Sequence, residues 1–136
     1  MKMNIRTGVT HIDSVRVNVV DLISGEADGR VFILNTGPGR GSAPFFDAVR
    51  AVFPLNPPVV GSNSWDSLSD SLWQGLFELQ ASRIIVWWED ARLFKKNNPS
   101  EYEIALGILS DISGSLADSR ATQGRVKRVS ILVSSN

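Results

Sequence analysis

The chain has 136 residues, 43% of them hydrophobic and 21% charged, which is typical of one globular soluble domain and excludes a disordered chain. It contains no cysteine, so disulfides, thiolate zinc sites and cysteine nucleophiles are excluded. Its 14 basic and 14 acidic residues give a formal net charge of zero, which argues against direct binding of nucleic acid.

The first 29 residues are predicted to be an extension, a strand or hairpin packed on the core of a domain over residues 30–136. The extension begins with polar residues and lacks the apolar core of a signal peptide. Valines alternate with polar residues from Val15 to Val19, which is a strand pattern. This strand could pair as a hairpin with Val31–Leu34, an apolar run typical of a strand buried on both faces.

The rest of the chain alternates helix and strand patterns. The predicted elements after Leu34 are a helix opened by Ser42 and ended by Pro54, a helix from about 63–64 to 80, a strand over 83–88, a helix from Ser100 with a Glu103 capping box after a polar loop, and a strand over 126–133. Helices that connect short apolar strands indicate an α/β fold with a small parallel sheet of three strands. Trp87 and Trp88 are expected on opposite faces of one strand, both in the core.

The second predicted helix, from about Trp65 to Leu79, has two different sides. Four leucines and Trp65 fall on one side, which is a core face. The other side holds Asp66, Asp70, Trp73 and Phe77. No Lys or Arg occurs from residue 51 to 82. Exposed aromatic residues among carboxylates are typical of a protein-binding surface, and this surface is our main prediction. Two structural alternatives stay open: Asp66 could assist the helix start, and an aromatic ring could pack beneath the extension.

A second candidate is the loop Gly37–Ser42, which follows a strand and opens a helix, as phosphate-binding loops do. It would make the protein a binder of nucleotides or other small ligands. However, serine replaces the third glycine of the dinucleotide motif, and Pro38 removes one amide donor. An ordinary connecting loop is favoured. Glu89 and Asp90, after the next strand, are interpreted as solvated loop residues, with a place in the acidic surface as the alternative.

Catalysis is poorly supported by the sequence. His11 is the only histidine, and no Ser/His/Asp set can be assembled near the predicted core. Asp66 and Asp70 could hold Mg²⁺, but the sequence offers no motif for a third acidic ligand. We therefore expect no enzyme, no metal and no cofactor. Because no segment approaches the roughly 20 apolar residues of a membrane span, we expect a cytoplasmic protein without membrane contact, monomeric when free.

The stretch from Pro58 to Leu72 reads PVVGSNSWDSLSDSL. With the apolar strand, helix and apolar strand that follow, it resembles the barstar family of intracellular ribonuclease inhibitors over residues 30–136. The resemblance implies a three-layer fold with a small sheet. It also implies that the acidic helix blocks a cationic nuclease site, with Asp66 and Asp70 as central carboxylates. Glu101 or Glu103 would be a further contact, and Val60, Gly61 and Asn63 would line the edge.

The chain also departs from the family pattern. One extra residue lies between Gly61 and Asp66, valines replace the loop tyrosine, Ser69 replaces a helix tryptophan, and the chain is neutral where barstar is acidic. The departures spare both carboxylates but change their surroundings. They indicate a partner other than the ribonuclease that barstar inhibits, such as another secreted nuclease toxin, with the present chain as its immunity protein or antitoxin.

Overall fold

The computed structural model, which describes residues 7–12, 29–60 and 63–135, contains one parallel sheet and helices that connect its strands. The strands are β1 (Gly8–Ile12), β2 (Gly29–Leu34), β3 (Arg83–Trp88) and β4 (Arg128–Ser134). The helices are α1 (Ala43–Val52), α2 (Trp65–Glu78), α3 (Ala91–Asn97) and α4 (Pro99–Leu116). The strand order is β1-β4-β3-β2, so the predicted α/β class with a parallel sheet is confirmed.

The sheet has four strands, and the prediction of three was wrong. The additional strand, β1, pairs with β4, with Val9 opposite Ile131. Its sequence, GVTHI, lacks a clear apolar alternation because an edge strand needs only one neighbour's backbone groups and little side-chain burial. The predicted strand from Val15 to Val19, and any hairpin it makes with β2, lie outside the described residues. The domain boundary at residue 29 stays a prediction.

The two faces of the sheet are buried to different extents. One face packs against the helices, and its strand residues are Phe32, Leu34, Ile84, Val86, Trp88, Val129, Ile131 and Val133. The other face carries a smaller cluster built on Ile85, Trp87 and Leu132. The two tryptophans thus lie in different clusters, both buried, as the alternation of side chains along a strand predicted. The third layer of the predicted arrangement stays a prediction.

The segment between β3 and α4 was predicted as a polar loop, but it forms the short helix α3. Helix α4 begins at Pro99, where a fixed φ and a missing N–H are tolerated in the first turn. Ser100 therefore lies inside the helix, and the predicted capping box with Glu103 was wrong. The residue at the cap position is Asn98, whose side chain forms no cap hydrogen bond.

Helices α2 and α4 run side by side in the same direction. Each precedes a strand of one parallel sheet, so each runs against the strands. Their carboxyl ends meet at Lys127, whose Nζ donates to the carbonyls of Leu79 (2.5 Å) and Ala81 (2.7 Å). The backbone N–H of Lys127 donates to the carbonyl of Leu116 at 2.7 Å. The amino ends of both helices consequently point toward the same edge of the sheet.

Within the described part of the chain, no helix is long and apolar enough to cross a membrane.

Candidate functional site

Helix α2 is fixed to the core by the side that the sequence predicted. Leu68, Leu72 and Leu76 are fully buried, and Trp65 packs its ring on Phe46 with centroids 4.9 Å apart. Ser64 caps the helix by accepting a hydrogen bond from the backbone N–H of Ser67 at 3.3 Å. Helix α2 is therefore held along its length, and the orientation of its remaining faces is set by this packing.

The loop before α2 runs closely along the helix. A side-chain carbon at Gly75 would lie 1.3 Å from the carbonyl oxygen of Pro54, so only glycine fits there. The N–H of Asn56 donates to the carbonyl of Ser71 at 3.2 Å, and the hydroxyl of Ser71 donates to the carbonyl of Pro57. These contacts join the loop over 54–57 to the middle of α2.

Arg50 of α1 holds the next part of the loop. Its Nε donates to the carbonyl of Val59 at 2.6 Å, and one terminal nitrogen donates to Asn63 Oδ1 at 3.0 Å. Val59 is buried, whereas Val60 is 78% exposed. Residues 57–60 and Asp70 line an open cavity of about 340 Å³. The structure thus brings Val60 close to Asp70, and Gly61 lies outside the described residues.

Asp66 and Asp70 lie one turn apart on the solvent side of α2, and both are exposed. Neither carboxylate forms a hydrogen bond or ion pair with the described part of the chain. Two unpaired carboxylates on a rigid helix are available to cations outside the molecule. This part of the predicted surface is present in the structure.

The aromatic part of that surface is partly covered, so the expectation that both rings are exposed was wrong, and their contact with a partner stays a prediction. Trp73 and Phe77 are half-buried and stacked, with centroids 4.9 Å apart. The indole N–H of Trp73 donates to Ser115 Oγ of α4 at 3.0 Å. The guanidinium of Arg125 lies 4.9 Å from the ring centroid of Phe77. The helical spacing correctly predicted that both rings lie on the same side of α2 as the carboxylates. However, α4 and Arg125 cover the carboxyl-terminal half of that side.

Glu101 and Glu103 lie on different sides of α4. Ser115, which contacts Trp73, marks the side of α4 that faces α2. At 3.6 residues per turn, Glu101 is about 40° from Ser115 around the helix, whereas Glu103 is about 120° away. Since the two helices run in the same direction, Glu101 lies on the α2 side of α4, toward the end where Asp66 lies. Asp66, Asp70 and Glu101 are called the acidic face below.

The loop Gly37–Ser42 is held by side chains from the segment after β3. The carboxylate of Asp90 accepts hydrogen bonds from the N–H groups of Thr36 (2.9 Å) and Gly37 (2.7 Å). Asn98 accepts from the N–H of Gly41 at 2.7 Å and donates to the carbonyl of Gly39 at 2.9 Å. A phosphate-binding loop must offer such N–H groups to its ligand. Because Asp90 and Asn98 already occupy the N–H groups of Gly37 and Gly41, the geometry argues against a phosphate in this loop.

The roles of Asp90 and Asn98 were missed from the sequence. The sequence predicts a solvated loop residue at Asp90 and a polar loop around Asn98, and both predictions were wrong. Their hydrogen bonds span 53 to 59 positions in the chain, so no local pattern indicates them. Among the described residues, no group of three or more His, Asp or Glu side chains is placed to hold a metal ion.

Comparison with known families identifies the chain. The family model described as Barstar (barnase inhibitor) matches residues 30–129, which is most of the sequence. The chain belongs to the barstar family. Searches of curated proteins and of solved structures gave no match. Members of the barstar family are inhibitors rather than enzymes, and their partners are ribonucleases. The match includes the loop over 54–63, α2 and α4, and it leaves out β1 and most of β4.

Proposed function

We propose that this barstar-family protein is an inhibitor that binds a ribonuclease or related nuclease toxin and blocks its cationic active site with the acidic face. The observation that carries the proposal is the pair Asp66 and Asp70, which are exposed and have no partner among the described residues, on a helix that is otherwise firmly packed. The inhibitor would act in the cytoplasm as an immunity protein, or antitoxin, against an enzyme that cleaves RNA.

The chemistry of the proposed contact follows from the substrate. A ribonuclease must hold RNA phosphates, so its site carries Arg, Lys or His side chains. Carboxylates presented by α2 can take the place of phosphates and accept charge-assisted hydrogen bonds from those cations. The absence of Lys and Arg from residues 51 to 82 removes local repulsion of a cationic partner.

The packing of α2 also favours tight binding. Three buried leucines, the close contact at Gly75 and the bonds of Arg50 fix the helix and its loop before any partner arrives. A surface that is already ordered loses less conformational freedom on association. The exposed Val60 beside Asp70 supplies an apolar contact at the edge of the charged centre.

The experiment is an inhibition assay with a panel of purified cationic bacterial ribonucleases, barnase included. We expect the wild-type protein to inhibit at least one of them at micromolar concentration or below. For that enzyme, Asp70→Asn should weaken binding by about 2–5 kcal/mol, roughly 30-fold or more, because a central charge pair is lost. The melting temperature should change little, since the Asp70 side chain has no partner within the described chain.

Two carboxylates serve as controls. Glu89→Gln removes an exposed charge outside the acidic face and should leave inhibition unchanged. Glu101→Gln should weaken binding several-fold more than Glu103→Gln, since only Glu101 lies on the α2 side of α4. Failure of the wild-type protein to inhibit any enzyme of the panel, or equal inhibition by wild-type and Asp70→Asn, would overturn the proposal.

A further inference from the structure

A second concave surface lies at the carboxyl ends of β1 and β4, on the other side of α4 from the acidic face. It is a cavity of about 510 Å³, within the range of small-molecule sites. Helix α3 contributes Arg92, Lys95 and Lys96 to its wall, and the strand ends contribute His11 and Ser134. It is called the basic pocket below.

The position of the basic pocket follows from the sheet topology. Strands β2, β3 and β4 are neighbours in chain order, whereas β1 and β4 are the first and last strands of the sheet. Open α/β sheets bind ligands beyond the carboxyl ends of their strands, at the place where the strand order breaks. The wall is tied together there: the N–H of Ser135 donates to the carbonyl of Ile12 at 2.9 Å, and the N–H of Arg92 donates to Ser134 Oγ at 3.4 Å.

The charge of the basic pocket selects an anion. Three of its described lining residues are cationic, and none of those described is acidic. A neighbouring carboxylate, Glu103, is exposed and follows Tyr102 in α4. Burial, and secondarily the charge of Glu103, raise the pKa of the Tyr102 hydroxyl, so this wall residue is a neutral donor at physiological pH.

The uncharged residues of the lining indicate which chemical group carries the negative charge of the ligand. Pro99 and the ring of Tyr102 supply apolar surface to the wall, and Lys95 Nζ lies 5.6 Å from the Tyr102 ring centroid. Serine hydroxyls and three flexible cations suit the several oxygens of a phosphate chain. We propose that the basic pocket binds a small phosphate ester of nucleotide size with two or more negative charges.

This site is independent of ribonuclease inhibition. His11, Ser134 and Ser135 lie outside the segment 30–129 that matches the barstar family. The site also differs from the loop Gly37–Ser42, in which Asp90 and Asn98 hold the N–H groups of Gly37 and Gly41. A nucleotide that binds this protein is therefore expected at α3 and not at the glycine-rich loop.

Isothermal titration calorimetry of the full chain tests the proposal with ADP, pyrophosphate, adenosine and a short single-stranded RNA. We expect ADP to bind, pyrophosphate to bind more weakly, and adenosine not to bind. The double variant Arg92→Gln, Lys96→Gln should weaken ADP binding about tenfold or more, because two charge-assisted contacts are lost. Both side chains are exposed, so the fold should be kept, and unchanged ribonuclease inhibition would show this independently.

The matched control is Arg40→Gln, which removes an exposed cation from the glycine-rich loop. ADP binding should be unchanged in this variant. Four results would overturn the proposal: no binding of ADP or pyrophosphate at millimolar concentration, equal binding of adenosine and ADP, loss of binding in Arg40→Gln but not in the double variant, or binding of the RNA alone.

Discussion

The acidic face and the basic pocket lie on two sides of α4 and differ in shape as well as in charge. Glu101 belongs to one side of this helix and Tyr102 to the other. The acidic face projects from a helix into solvent, whereas the basic pocket is a cavity between strand ends and helices. A projecting surface suits the cleft of another protein, and a cavity suits a small ligand. Although the formal net charge is zero, acidic and basic side chains are thus separated onto two different surfaces.

The two regions are also supported differently. The acidic face depends on one helix and on the loop that packs against it, through Gly75 and Ser71. The basic pocket is assembled from three parts of the chain that are distant from one another: β1, the consecutive helices α3 and α4, and β4. Changes in the packing of α2 should thus affect the acidic face strongly and the basic pocket weakly.

The largest effect of this kind is expected for Gly75→Ala. The added carbon would meet the Pro54 carbonyl, so the loop must move away from α2. We expect the free energy of unfolding to fall by about 1–3 kcal/mol, and ribonuclease inhibition to weaken, while ADP binding is kept. Urea unfolding measures the first quantity.

The matched control is Gly107→Ala in α4, where nothing lies within 4 Å of the added carbon. This change should raise stability by up to about 1 kcal/mol, because alanine favours a helix over glycine. Equal loss of stability in both variants would show that the approach of α2 to Pro54 is not what makes glycine necessary.

A smaller effect on stability is expected at the contact between Trp73 of α2 and Ser115 of α4. Ser115→Ala removes the acceptor of the Trp73 indole N–H, which should cost about 0.5–1.5 kcal/mol of unfolding free energy. Ribonuclease inhibition should not change, since Trp73 is packed on α4 in the free protein. A loss of inhibition much greater than the loss of stability would instead include Trp73 in the binding surface.

The smallest effect on stability is expected for Glu78, whose carboxylate accepts hydrogen bonds from other side chains of the protein. Hydrogen bonds from Gln74 and Asn56 lower the pKa of Glu78 below its usual 4.5. A lowered pKa contributes stability that is present above the ordinary pKa and is lost as the pH falls through the folded-state value. The melting temperature of Glu78→Gln should therefore fall below that of wild type at pH 7, and the difference should shrink at pH 3.

The sequence predicted the parts of this fold that depend on local periodicity. The leucine spacing of α2 and the motif around Asp66 and Asp70 were sufficient to place the helix and its carboxylates. The continuous apolar run of β3 was sufficient to predict a strand buried on both faces, with Trp87 and Trp88 on opposite sides. In each case the signal lies within a single short segment of the chain.

What the sequence did not predict depends on distant contacts. The pairing of β1 with β4 leaves no apolar pattern in β1, because the ladder is made by backbone groups. The burial of Trp73 and Phe77 is decided by α4 and Arg125, some 40 to 50 positions later in the chain. Asp90 and Asn98 accept hydrogen bonds from the backbone of the glycine-rich loop, and no sequence pattern relates these two residues to that loop.

The hydrogen bonds of Lys127 affect how the carboxyl ends of α2 and α4 unfold locally. Its ammonium and its N–H hold the last turns of both α2 and α4 immediately before β4 begins. Separation of either helix end from the sheet leaves one donor of this buried residue without its acceptor, because Nζ serves the end of α2 and the backbone N–H serves the end of α4. The carboxyl ends of the two helices therefore open as one cooperative unit, and their amides should exchange with solvent deuterium at similar free energies. Fraying of the helix that bears the acidic face is suppressed from the end farthest from its carboxylates.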